Sequence, residues 1–488
     1  MKPAKTEQGN HPAPGASPLR EMLAIALPVA AVMVSYSISQ FVDSVMVARL
    51  PNGDAAVAAL GNGGIVAFIP ISIAMGVVQA INTYVSQHIG AGSEHRASAY
   101  PWNGVWFSVA VWLAFFVPLA FVLPGVMPWF TGALAAAAPS GGAGPDPEVV
   151  RMQQEYARVL LLGAVFTLCS RSMAQFFFGT QRGAIVLVAS LAANAVNFCG
   201  NWLLIYGNWG FPALGVTGSA VSTVIGQLVE FLIPLSMFLS PRFHARYGTR
   251  SAWRPSRARI AEIIKVGAPQ GLAFGNEMIC WAIFMAGMLG GISVADNAAG
   301  WIGLRYMHLS FLPAIGVSIA ISAVVGRSIG ADDPDTAQRR ASLGTRIAMV
   351  YMGLCAAAFV VFREPLVRVF IDKTWGEERV GPVVEVGKQV MICAAVFQVF
   401  DAIGISMQGA LRGAGDTRWP GLMQVALAWV VLMGGGYAAL RLFPEWRSLG
   451  PWAMASAYIT IFAVVMYWRF ASGRWRAIRL IDRTSAPH

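Results

Sequence analysis

Residues 76–91, GVVQAINTYVSQHIGA, return as residues 316–331, GVSIAISAVVGRSIGA, with Gly76, Val77, Ala80, Ile81, Val85, Ile89, Gly90 and Ala91 each repeated 240 positions on. Self-similarity at a fixed offset marks internal duplication. Both copies end an apolar stretch and lead into a short charged segment. Weaker echoes agree: Pro28 answers Pro269, and Gly179, Arg182 and Gly183 answer Gly409, Arg412 and Gly413. The chain therefore reads as two homologous halves.

Composition says what the halves are made of. The 488 residues are 56% hydrophobic and only 12% charged, with a mean hydropathy of +0.58, whereas about 25% of residues are charged in soluble domains. This is an all-α polytopic membrane protein. Counting apolar stretches of about 18 residues or more predicts twelve transmembrane helices, near 22–48, 56–87, 101–124, 152–173, 183–206, 212–239, 260–289, 297–328, 344–363, 384–409, 420–441 and 450–471. The repeat divides these into an N-terminal six-helix bundle, 22–240, and a C-terminal one, 260–471. A polar tail, 1–21, a basic linker, 241–259, and a second tail, 472–488, complete the chain.

An even number of spans returns each half to its starting side. The two repeats are therefore parallel, related by an axis along the membrane normal, and two such bundles facing each other leave a cleft. That is the layout of an alternating-access carrier. Duplication could merely have built a larger bundle, but this would leave acids inside the spans unexplained.

The net charge of +11 invites a nucleic-acid reading, which the placement of the charges excludes. With both termini in the cytoplasm, about 24 Lys and Arg fall on the inner side and about 10 on the outer, the positive-inside bias. Arg242, Arg246, Arg250, Arg254, Arg257 and Arg259 in the linker contribute most. The expected location is a bacterial-type inner membrane, crossed many times. The five cysteines all fall in predicted spans without CxxC spacing, and read as core residues. The first apolar run is too long for a signal-peptide core.

Ionisable residues inside spans mark function because they are costly there, about 2.5 kcal/mol or more at the bilayer centre. Asp43 shares a helix face with Tyr36 and Gln40; Glu277 with Gln270, Phe274 and Trp281; Asp401, in ICAAVFQVFDAIGISMQGALRGAGDTRWP from Ile392, with Phe397 and Gln408. Acids beside amides and aromatics suit a cavity for cations. A buried carboxylate can hold a proton, a Na⁺ or an organic cation in turn, and exclusive occupancy is the basis of antiport. The competing reading is that Arg305 or His308 pairs with one of them structurally. Glu230, with only Gln227 beside it, reads equally as cavity or interface. Asn194, Asn197 and Asn201 form one polar stripe that could bind ligand or pack helices. No nucleotide loop, HExxH or ligand-spaced His cluster occurs, so neither an enzyme nor a cofactor is expected.

Six stretches carry a resemblance: FVDSVMVARL from Phe41, SQHIGAGSEHRA from Ser86, GNWLLIYGNWGFPALGVTGSAVST from Gly200, VGAPQGLAFGNEM from Val266, SFLPAIGVSIAISAVVGRSIGADDP from Ser310 and FDAIGISMQGALRGAGDTRWP from Phe400. In this order the chain resembles the multidrug and toxic compound extrusion (MATE) transporters, most nearly their NorM-like branch, over nearly its whole length. The resemblance implies a V-shaped secondary transporter exporting lipophilic organic cations in exchange for Na⁺ or H⁺. Glu277 and Asp401 stand at the family's cation site, able to ligate Na⁺ if Na⁺ is the coupling ion, and Asp43 is the N-half acid. Tyr36, Gln40, Asn197, Asn201, Gln270, Phe274, Trp281 and Phe397 would line the substrate path. Phe397 departs from the Tyr that relatives often carry, which removes a hydroxyl ligand. Asn201 stands where another branch has Asp. A monomer suffices, since the halves supply both walls of the cleft. A lipid-linked saccharide flippase of the same superfamily would need a basic cavity; an intramembrane enzyme would need a His, Asp or Ser constellation at the membrane face; a passive channel would need no exchanged ion.

Overall fold

The computed structural model describes residues 17–125, 127, 146–371 and 377–481; most of the first tail and the end of the second lie outside them. Among the described residues there is no strand, and twelve helices are long and apolar enough to cross a membrane. They are α1 Pro18–Val47, α2 Gly53–Gly90, α3 Glu94–Gly125, α4 Pro147–Gly179, α5 Gly183–Leu204, α6 Val216–Phe238, α7 Arg257–Leu289, α8 Ala295–Gly330, α9 Pro334–Val361, α10 Val380–Ala414, α11 Arg418–Leu442 and α12 Leu449–Ala471. Each overlaps one predicted span. Several overrun it, because caps rather than hydropathy end a helix. Ser17, Asp146 and Asp333 each precede a proline, and their side chains accept the N–H groups of Arg20 (3.3 Å), Glu148 (2.9 Å) and Thr336 (2.9 Å). A capping oxygen followed by Pro at the first helical position is a strong start signal. The charged turns that follow belong to the helices although a hydropathy window rejects them.

The halves meet where α1 packs on α8 and α2 on α7. The repeat exchanges these two pairs. Its glycines lie in the seam: a Cβ on Gly76 would stand 2.4 Å from Gly271 Cα, and one on Gly316 2.5 Å from Ala30 Cα. Further along, a Cβ on Gly90 would meet the Arg327 carbonyl oxygen at 1.9 Å, and one on Gly330 the Gln87 carbonyl oxygen at 2.0 Å. Small residues let helix backbones approach this closely, which explains why these positions of the duplicated stretch stayed alike.

The cores show how the halves diverge. On the face carrying the described ends of the chain, Met22, Ile25 and Ala26 of α1 share a core with Ala320, Ile321 and Val324 of α8. Ile263 and Ile319 likewise share one with Tyr84 and Phe177. Towards the opposite face the cores are private. Ala67, Phe116 and Leu161 pack within the N half, as do Met46, Tyr156 and Ile205, while Phe284, Met391 and Trp452 pack within the C half. The result is a V closed at the terminal face. Polar groups complete the closure: Arg412, only 7% exposed, donates to Gln79 at 2.7 Å. Thr83 donates to the Arg412 carbonyl at 2.9 Å, Gln87 to the Gly413 carbonyl at 3.0 Å, and Arg327 to Gln181 at 3.1 Å.

Residues 472–481, expected as part of a tail, run across this seam. Trp475 is buried and stacks on Phe470 at 5.0 Å. Arg476 pairs with Asp335 at 3.1 Å. Leu480 fits against Gly415, whose φ of +91° and lack of side chain both suit glycine, and with Ile481 it reaches the core that also holds Tyr84 and Phe177. Leu480→Asp should therefore lower the thermal unfolding midpoint of the purified protein, with a loss of about 1.5 kcal/mol or more for a leucine contact. An unchanged midpoint would show that this segment holds nothing together.

Candidate functional site

In the C half, α7, α10, α11 and α12 converge on two acids. Glu277 accepts a hydrogen bond from the Gln424 amide at 2.6 Å, and Gln424 in turn accepts one from Gln408 at 2.7 Å. This chain of amides runs from α10 through α11 to α7 and orients the Glu277 carboxylate. One residue before it, Asn276 accepts the Trp429 indole N–H at 2.8 Å. Both helices carry a π-helical stretch just beyond the site, Phe284–Leu289 and Ala428–Gly435, a distortion often found beside functional residues. Asp401 is partly buried, and no described residue donates a hydrogen bond to its carboxylate. Glu277 and Asp401 act electrostatically on one another, and both act on Tyr458 of α12. One neighbourhood thus holds two carboxyl groups with no basic side chain paired to either.

The alternative partners lie elsewhere. Arg305 and His308 are exposed, and the Arg305 guanidinium sits over the Phe370 ring at 5.4 Å. Neither neutralises an acid of the spans.

The N half carries two polar layers. Nearer the open end, Asp43, 6% exposed, accepts from Asn201 at 2.5 Å. Asn197 accepts from Ser39 at 3.3 Å and donates to Thr223 at 3.3 Å. Deeper, seven residues earlier on α1 and so about 10 Å away along the helix, the Tyr36 hydroxyl donates to Glu230 and accepts from Arg171. The Arg171 guanidinium also covers the Tyr36 ring at 4.1 Å. Glu230 therefore has a basic partner, Arg171, bridged to it through Tyr36.

The expected site residues thus separate. Glu277 and Asp401 come together; Asp43, Asn197 and Asn201 form a second cluster; Tyr36 belongs to the Glu230–Arg171 layer. Gln40 is exposed without a side-chain partner among the described residues. Gln270 lies at the α2–α7 crossing beside Gly76, and Phe274 meets Phe68 edge-on at 6.3 Å across the same crossing. Trp281 packs on Phe284 at 5.4 Å. Phe397, at 3% exposure, packs within the C-half core. Sequence reading missed Arg171, Gln424 and Tyr458. Arg171 sits at the end of a predicted span, where it counts as a loop charge, and the other two become visible only once α11 and α12 are placed against α7.

Two parallel six-helix repeats, closed at one face and lined by unpaired acids, define the class: a membrane transporter rather than an enzyme. The MatE family model matches residues 28–203 and 276–437, and the chain belongs to that family. Among its relatives, "Probable multidrug resistance protein NorM" of Thermotoga maritima is 26% identical over 86% of this chain and 84% of its own. "Multidrug resistance protein PmpM" of Pseudomonas aeruginosa is 27% identical over 95% of this chain and 94% of its own. A structure described as the outward-facing conformation of a multidrug resistance MATE family transporter superposes with TM-score 0.81 at 18% identity, covering 95% of this chain and 98% of that one. The eukaryotic MATE transporter AtDTX14 superposes with TM-score 0.79 at 17% identity, covering 94% and 96%. At such identities the superpositions establish the fold alone.

Proposed function

We propose that this transporter exports lipophilic organic cations in exchange for Na⁺ or H⁺, with the coupling ion at Glu277 and Asp401 and a second protonation or substrate site at Asp43. The observation that carries the reading is the pair of carboxyl groups in the C half with no basic partner. Charges in a low-dielectric site are neutralised by pairing or protonation, so the pair favours whichever cation can reach it. A proton, a Na⁺ and a drug cation cannot all occupy it, and their competition couples one flux to the other. Gln424 fixes Glu277, leaving Asp401 as the group whose partner changes. Phe274 and Trp281 offer ring faces to an organic cation, each such contact contributing about 0.5–2 kcal/mol. The relatives named as multidrug resistance proteins support the cargo class.

In this reading the terminal face is cytoplasmic, because the arginine-rich α6–α7 linker lies there. The cleft then opens outward, the state from which cargo leaves. Arg171 does not make the cavity basic enough for a lipid phosphate, since Tyr36 bridges it to Glu230. The test uses purified protein in liposomes, with a Na⁺ gradient and a pH gradient imposed separately and efflux of a fluorescent lipophilic cation followed. One of the two gradients should drive uphill movement. Equal, purely downhill flux under both would overturn the exchange.

A further inference from the structure

The geometry points to an anionic phospholipid site on the terminal face, in a groove of about 580 Å³ between the start of α1 and one face of α9. Its walls include Pro18, Asp335, Arg339, Ser342, Leu343 and Arg346. Arg339 and Arg346 are seven residues apart, two helical turns or about 10 Å, and both are exposed. Arg339 donates to the Thr336 hydroxyl at 2.7 Å; Arg346 has no partner among the described residues. The groove's single acid, Asp335, is already paired with Arg476 at 3.1 Å. The start of α1 adds the positive end of a long helix. What remains is a net positive groove with Leu343 as an apolar strip between two guanidinium groups.

Depth identifies the occupant. Beyond Arg346, residues 347–361 of α9 carry no charge, so Arg346 stands at the boundary between hydrocarbon and headgroup. An unpaired arginine there is matched by a phosphate, and basic pockets at this level bind anionic headgroups. Within the chain, the segment 1–16 is a poor rival, since it holds Lys2 and Lys5 against Glu7 alone and repeats the groove's sign. The site also spans the seam: next to the groove, Arg340 of α9 pairs with Glu21 of α1 at 2.5 Å. A lipid bound there therefore touches both halves where they close.

The test counts lipid adducts on delipidated, full-length protein by native mass spectrometry, titrating phosphatidylglycerol, phosphatidylcholine and inorganic phosphate in separate arms. Phosphatidylglycerol should bind in preference to phosphatidylcholine. In the Arg339→Ala/Arg346→Ala double variant its affinity should fall by about thirtyfold, from about fivefold for each arginine. The Arg339→Lys/Arg346→Lys variant should retain most of the binding, and both variants should keep the lipid-free unfolding midpoint of the wild type. Equal binding of the two lipids, or unchanged adducts in the alanine variant, overturns the site. Complete displacement of phosphatidylglycerol by millimolar inorganic phosphate would assign it to free phosphate and overturn the lipid.

Discussion

Asp401→Asn inserts and folds as the wild type does but loses ion-driven efflux by about a hundredfold in initial rate. The scale is that of removing one partner from a buried charge interaction, about 3 kcal/mol. The substitution is nearly isosteric, and no described residue hydrogen-bonds the Asp401 carboxylate, so nothing in the fold depends on its charge. Glu277→Gln makes a useful contrast, because it also disturbs the amide chain through Gln424 and Gln408 and should lower stability as well as transport. Asp43→Asn keeps an oxygen able to accept from Asn201 and should reduce transport less. Proteoliposome efflux under whichever gradient drives the wild type measures all three. Wild-type rates from Asp401→Asn would remove that residue from coupling.

The duplication, the twelve spans and the acids were legible in the sequence for one reason. Each is a local deviation from an apolar background: a glycine pattern that recurs, a charge where hydropathy is high. What escaped reading is non-local. Gln424 and Tyr458 look like ordinary residues of α11 and α12 until those helices are placed beside Glu277. Arg171 lies at the end of its predicted span, and only the long α4, capped by Asp146, shows that it faces the interior of the bundle. Phe397 shares a helix with Asp401 and stands one turn away, yet α10 is surrounded by α8, α9 and α12, so a residue one turn from a cleft acid can still face the core. Helix periodicity fixes which residues share a face; it does not say what that face meets.

The seam gives the second large effect. Gly316→Leu should sharply destabilise the closed terminal face, because the first added carbon already meets Ala30 Cα at 2.5 Å and Ala30 N at 2.6 Å. Backbone atoms of a packed helix cannot swing aside as a flexible side chain can, so α1 and α8 must separate. Overpacking of this kind costs about 1–3 kcal/mol, occasionally more, and here it also loosens the polar closures formed by Arg412, Thr83 and Gln87. The duplication makes the prediction stricter: Gly76→Leu, facing Gly271 across the exchanged α2–α7 pair at 2.4 Å, should behave alike. Gly61→Leu is the control, since nothing stands within 4 Å of its Cβ position. Thermal unfolding midpoints should fall for both seam variants and stay near wild type for Gly61→Leu, with efflux lost in the first two. If the seam variants melt like the control, the halves do not depend on backbone contact at these crossings. If only one of them melts early, the repeat does not impose equivalent packing on the two sides of the seam.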